Sequence, residues 1–149
     1  MGIEIGPLYV RRSCFIQQAP ERVWQEFVSF EKVTAWLGRG HRLEVYEPGL
    51  GGAVRFSVEI EGKRRFFGGS IVVFDAAREL TYSNDWEVDG WPVPTLITLR
   101  LTPLYAGCLV ELFHHGFERL GAEAGAELEG YEAGWSVQHL TALRSIVEA

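Results

Sequence analysis

Apolar and polar residues alternate with a period of two in the centre of the chain. Between residues 53 and 60, the apolar residues Val54, Phe56, Val58 and Ile60 occupy every second position, which predicts a strand with one buried face and one hydrated face. Further strands are predicted over residues 8–18, 66–74, 79–84, 95–102 and 108–115. Short turns join the later strands, so these should pair as an antiparallel meander. Gly68-Gly69 predicts a bulge or bend in its strand.

Two short helices are predicted between the first strand and the meander. Pro20 suits the first position of a helix, where its missing N–H is not needed. Ser29 is a suitable N-cap for the second helix, and Gly38 and Gly40 should end it.

The end of the chain carries the apolar pattern of one long helix. A single stripe at helical spacing contains Leu128, Tyr131, Trp135, His139, Ala142 and Ile146. A helix of about twenty residues would span about 30 Å, which is enough to lie along a curved sheet. The sequence therefore predicts an α+β domain over residues 1–149, with a curved antiparallel sheet of about six or seven strands around this helix. Such a helix rarely fills all the concave space, so a cavity is expected.

Composition strengthens the expectation of a cavity and excludes other classes of protein. Aromatic residues make up 13% of the 149 residues, and this apolar volume must fill a core or line a cavity. The net charge of −6 argues against nucleic-acid binding, and the basic residues 63–65 are interpreted as a solvated hairpin tip. No apolar stretch is long enough to predict a membrane span. Without a secretory signal, we expect a cytoplasmic protein.

The two cysteines, Cys14 and Cys108, lack the spacing of metal ligands and are predicted to be buried, reduced thiols, although a bridge between them is an alternative. No motif for a nucleotide, a metal or a catalytic triad is present, so we expect no cofactor and no metal.

Five motifs, in order along the chain, resemble those of one known superfamily. Residues 19–24 (Ala-Pro-Glu-Arg-Val-Trp) are similar to its A-P-x-x-V-W opening, and residues 36–38 to its W-L/W-G/P element. Residues 51–56 resemble G-G-x-x-R-F, residues 112–117 resemble L-x-H-x-G-F, and Gly134-Trp135 resembles the G-W of the last helix. The chain thus resembles the START/Bet v 1-like (SRPBCC) superfamily, specifically its Hsp90-ATPase-activator-homologue-like branch.

This resemblance implies the helix-grip fold and a hydrophobic cavity between sheet and helix, which relatives use for lipids, polyketides and other apolar ligands. Two positions depart from the pattern. Asn84 stands where relatives often carry Trp, and Cys108 stands where they often carry Thr. The first departure affects the predicted shape of the cavity.

Strand parity and helix spacing place a set of residues on the predicted cavity wall. The candidates for ligand binding are Trp36, Phe56, Tyr82, Trp86, Leu99, Leu112, His114, Tyr131 and Trp135. His114 is interpreted either as a cavity base or as a buried imidazole bonded to the backbone, with the second interpretation favoured. His115 points the other way and is predicted to be a surface residue. Residues 85–95, which include Trp86 and Trp91, are predicted to form a lid or a contact in a homodimer.

Three functions follow as hypotheses. The first is binding of a hydrophobic or lipid-like small molecule in the cavity. The second is an enzyme of the cyclase or dehydratase type, which would use His114 with Tyr82 or Tyr131 as acid–base groups. The third, suggested only by the family name, is a co-chaperone-like interaction protein.

Overall fold

A seven-stranded antiparallel sheet forms the centre of the protein in a computed structural model that describes residues 2–149. The strands are β1 (Tyr9–Ile16), β2 (Arg42–Tyr46), β3 (Ala53–Ile60), β4 (Lys63–Asp75), β5 (Glu79–Trp86), β6 (Thr95–Leu104) and β7 (Gly107–His115). Their order across the sheet is β1-β7-β6-β5-β4-β3-β2, so β2 to β7 form a continuous meander and β1 adds beside β7. This arrangement confirms the predicted α+β fold.

Helices cover one face of the sheet, which we call the inner face. They are α1 (Pro20–Trp24), α2 (Phe30–Thr34), α3 (Ala124–Gly134) and α4 (Gln138–Val147), with 3₁₀ turns over Gln25–Phe27 and Phe117–Glu123. Pro20 begins α1, and the hydroxyl of Ser29 accepts a hydrogen bond from the Lys32 amide at the start of α2, as predicted. No helix among residues 2–149 is both long and apolar enough to cross a membrane.

Strand β2 and the position of one bulge were not predicted. Strand β2 is short, and its own register shifts between Leu43 and Val45, which disrupts any clean alternation. In β4 the bulge, seen as a shift of the register with β5, lies between Ile71 and Val73 and not at the predicted Gly68-Gly69. Gly68 instead marks a close approach of strands, because a Cβ there would overlap the carbonyl oxygen of Val54.

The predicted C-terminal helical segment extends over residues 124–147 but is interrupted at residues 135–137. Trp135 has extended backbone angles (φ −70°, ψ 130°), so the chain leaves the helix there. The Arg12 guanidinium, projecting from β1, donates to the backbone oxygens of Glu132 (2.7 Å) and Trp135 (3.1 Å). These bonds satisfy carbonyl groups that the end of α3 leaves without helical partners. Arg12 therefore caps the end of α3.

The main core lies between the sheet and α4. Leu140, Leu143 and Val147 of α4 are buried against the inner face together with Leu99 and Leu112. Cys14 and Cys108 are also buried in this core and are free thiols, as predicted. Burial raises the pKa of Cys108 to about 11, which keeps this thiol protonated.

The prediction that His115 is a surface residue is wrong. His115 does point to the outer face of the sheet, but it is buried within a hydrogen-bonded row of side chains. Its Nε2 lies 2.8 Å from the hydroxyl of Thr98, which bonds the hydroxyl of Thr81, which in turn donates to the carboxylate of Glu79. Glu79 also accepts from the backbone N–H of Ile3, so the N-terminal segment is bound to this face.

Candidate functional site

A cavity of about 450 Å³ lies between the inner face of the sheet and the region where α3 meets α4. Its wall combines residues from β3 to β7 with residues of α3, α4 and the segment after α2. The lining residues are Leu37, Arg39, His41, Phe56, Val58, Ile60, Phe67, Tyr82, Asn84, Trp86, Ile97, His114, Glu127, Gly130, Tyr131, Gly134, Trp135 and His139. The volume lies in the usual range for sites that bind small molecules.

Most of the predicted wall residues lie on this cavity, and three do not. Those that line it are Phe56, Tyr82, Trp86, His114, Tyr131 and Trp135. Leu99 and Leu112 do share the inner face, but α4 packs directly on that part of the sheet and fills the space above them. Trp36 is buried in the same core, where its indole N–H donates to the Glu26 backbone oxygen (3.0 Å). The cavity is thus confined to the half of the sheet beneath α3.

Aromatic rings form one continuous surface along the sheet wall. Phe56 and Phe67 stack at 5.4 Å between ring centroids, and Phe67 meets Trp86 at 5.1 Å. Tyr82 lies beside Phe56 at 6.3 Å, and burial raises the pKa of its phenol well above the usual value. This aromatic part of the wall is therefore apolar and uncharged at neutral pH.

His114 is held by two hydrogen bonds that fix its tautomer. The indole N–H of Trp135 points at Nδ1 (3.0 Å), so Nδ1 must be the accepting nitrogen. The proton then lies on Nε2, which donates to the hydroxyl of Thr95 (2.8 Å), and this hydroxyl donates to the backbone oxygen of Asn84. Both ring nitrogens are thus engaged by protein groups. This arrangement favours the interpretation of His114 as a buried structural imidazole.

Burial also removes the charged form of His114. The side chain is fully buried and packs against Phe117 and Tyr131, with ring centroids 4.7 and 4.5 Å away. Desolvation, followed by the nearby His115, lowers the pKa of His114 to about 3. His114 is therefore neutral at physiological pH, and its one lone pair already accepts from Trp135.

Residues 85–95 pack against α3 at the edge of the cavity. The ring of Trp91 meets Tyr131 edge-on at 6.2 Å, and its indole N–H donates to Glu127 (3.3 Å). Desolvation, with a contribution from Glu127, raises the pKa of Tyr131 to about 12. Whether this loop is a lid or an interface stays a prediction.

Sequence reasoning missed several wall residues. Arg39, His41 and Glu127 place polar groups on the wall, and Arg39 and His41 are exposed, so they mark its open end. Gly130 and Gly134 leave space beside α3, where larger residues would narrow the cavity. No periodic pattern indicates residues of this kind, because their position depends on how far α3 stands from the sheet.

Comparison with known proteins agrees with this architecture. Residues 17–148 match the family model described as "Activator of Hsp90 ATPase homolog 1-like protein". No curated protein sequence matches the chain. The crystal structure of protein CV1439 from Chromobacterium violaceum is similar, with 22% identity and a TM-score of 0.72, covering 97% of this chain and 99% of that one. The Aha1 dimer from Colwellia psychrerythraea has 14% identity and a TM-score of 0.64, with 95% and 97% covered.

A further similar structure is DynU16, a protein in the dynemicin biosynthetic locus. It is 16% identical, with a TM-score of 0.69, and the match covers 97% of this chain but 48% of that one. At these identities the likeness extends to the fold alone.

Proposed function

Because the chain belongs to the family of Activator of Hsp90 ATPase homolog 1-like proteins, we propose that it binds a hydrophobic small molecule in the cavity under α3. The observation that carries the proposal is the continuous aromatic surface of the sheet on one side of about 450 Å³ of space. Burying an apolar ligand there removes apolar surface of both ligand and wall from water, which is the main source of affinity in such sites.

Gly130 offers a direct way to test this proposal by blocking the cavity. It lies on the exposed side of the wall, and a Cβ added there would meet no atom within 4 Å, so a leucine fits at this position without a clash. Replacing a helical glycine also favours the helix by up to about 1 kcal/mol, so Gly130→Leu should fold normally.

We expect the neutral dye N-phenylnaphthylamine to bind the native protein with increased fluorescence, and Gly130→Leu to weaken binding by about tenfold or more. The matched control is Gly125→Leu. Gly125 lies on the same helix with the same open surroundings, but it does not line the cavity, so this variant should bind like the native protein. If the native protein does not bind the dye, or if both variants lose dye affinity to the same extent, the proposal is contradicted.

The enzyme hypothesis has weaker support. A general base needs a free lone pair within reach of the substrate, and Trp135 uses the one on His114. The raised pKa of the Tyr82 and Tyr131 phenols also makes both groups poor bases near neutral pH. The co-chaperone hypothesis stays a prediction that rests on the family name, and no contact described above favours it.

A further inference from the structure

Asn84 carries the one buried side-chain N or O atom between residues 2 and 149 that has no hydrogen-bond partner. This atom is its Oδ1, and the residue as a whole is only 4% exposed. Buried polar atoms are almost always paired, so an unpaired oxygen in a cavity wall needs an explanation. A ligand that supplies the missing donor is such an explanation.

The position of Asn84 directs it at the cavity. It lies on β5 between Tyr82 and Trp86, two residues from each, and all three line the cavity because alternate residues of a strand share a face. Its backbone oxygen is already held by the Thr95 hydroxyl, which fixes the main chain at this point.

Two neighbouring polar side chains on the wall, His114 and Trp135, are already engaged and so cannot serve Asn84. The Nε2 proton of His114 goes to Thr95, and the indole proton of Trp135 goes to His114. Of the charged wall residues, Arg39 is exposed, and Glu127, which is half-buried, accepts from Trp91. Among the fully buried side-chain atoms of residues 2–149, the Asn84 Oδ1 is thus the one acceptor without a partner.

We infer that Asn84 determines the specificity of the cavity, and that its Oδ1 accepts a hydrogen bond from a hydroxyl or N–H group of a neutral, largely apolar ligand. This inference rests on the proposed function. A ligand without a donor would leave the buried oxygen unpaired, so the site should discriminate against it. A charged ligand would be disfavoured, because the interior wall offers no opposite charge.

Three probes with the same ring system test this inference: β-naphthol, its methyl ether and naphthalene. β-Naphthol has a donor, the ether has only an acceptor, and naphthalene has neither. We measure each by its displacement of N-phenylnaphthylamine from the native protein and from Asn84→Leu. We expect β-naphthol to bind the native protein about tenfold more tightly than the ether, and Asn84→Leu to lose this difference while it still binds naphthalene.

Thermal unfolding of the same variant separates a ligand-facing role from a structural one. Because the Oδ1 has no protein partner, Asn84→Leu should unfold at an equal or higher temperature than the native protein. A clear loss of stability would overturn the inference. Equal binding of all three probes to the native protein would also overturn it and leave the proposed function intact, whereas binding of none would contradict the proposed function itself.

Discussion

At the scale of single residues, His114 shows how a motif residue can have a structural role inside a cavity. Its bonds to Trp135 and Thr95 join β7 to the interruption between α3 and α4 and to the start of β6. The motifs L-x-H-x-G-F and G-W therefore meet in space through one hydrogen bond. Removing the imidazole would leave buried polar groups unpaired on both sides.

The same residue should make stability depend on pH. The pKa of His114 is about 3 in the folded protein but near 6.5 when unfolded, so the unfolded chain binds more protons between these values. For this group, the free energy of unfolding has its full value above pH 6.5 and decreases as the pH falls toward 3. Below pH 6 this loss should approach about 1.4 kcal/mol per pH unit for this group.

Urea unfolding between pH 6.5 and 5 measures this effect before carboxylates of ordinary pKa become protonated. His114→Asn has no titrating group at this position, so its stability should fall with a visibly shallower slope than that of the native protein. Partial or full desolvation also lowers the pKa values of His41, His115 and His139, and these three histidines remain in both proteins. Identical slopes would show that His114 is accessible to protons in the folded state.

Residue-level prediction worked where strand parity decides the side. Parity correctly placed Tyr82 and His114 on the inner face. Parity did not predict the burial of His115. It gives the face of the sheet to which a side chain points, but not whether other residues cover that face. The residues that cover this face are far away in sequence. Asn84 was noticeable in the sequence only as a departure from tryptophan. That its oxygen has no partner depends on every neighbouring contact, which the sequence does not show.

At the scale of secondary structure, the interruption of the C-terminal helix separates core from cavity. α4 packs its leucines on the sheet, while α3 contributes Tyr131 and Gly130 to the cavity wall. The apolar stripe predicted the helical segment correctly, but it continues across Trp135 without a break. Arg12, which lies more than a hundred residues away in the chain, donates hydrogen bonds to the carbonyl groups at this interruption.

Arg12 should therefore stabilise the end of α3. Arg12→Met keeps an unbranched stem but removes the guanidinium that bonds the Glu132 and Trp135 carbonyl groups. Because hydrogen bonds from charged donors are stronger than average, we expect a loss of about 2 kcal/mol in the free energy of unfolding. Amide hydrogen exchange should also become faster in the last turn of α3.

Arg11→Met is the matched control for this experiment. Arg11 is the adjacent residue of β1, and its side chain is 41% exposed in an ion pair with Glu111. Exposed pairs contribute little, so this variant should lose less than about 1 kcal/mol and leave exchange in α3 unchanged. Equal effects of the two substitutions would contradict the role assigned to Arg12.

At the scale of the whole molecule, the order of elements in the sequence was enough to predict the architecture. The meander and the helical segment brought an aromatic wall and a covering helix together, as the periodicity predicted. The extent of the cavity was not predictable, because it depends on the distance of α3 from the sheet and on glycines such as Gly130 that leave space. The candidate wall therefore extended too far, to Trp36, Leu99 and Leu112.

The most direct test of ligand binding in the cavity is a crystal structure of the protein with β-naphthol. We predict electron density for the naphthalene ring between Phe56 and Trp135, with the hydroxyl within hydrogen-bonding distance of the Asn84 side chain. A cavity closed by its own side chains, or a probe bound only on the outer surface, would contradict the account.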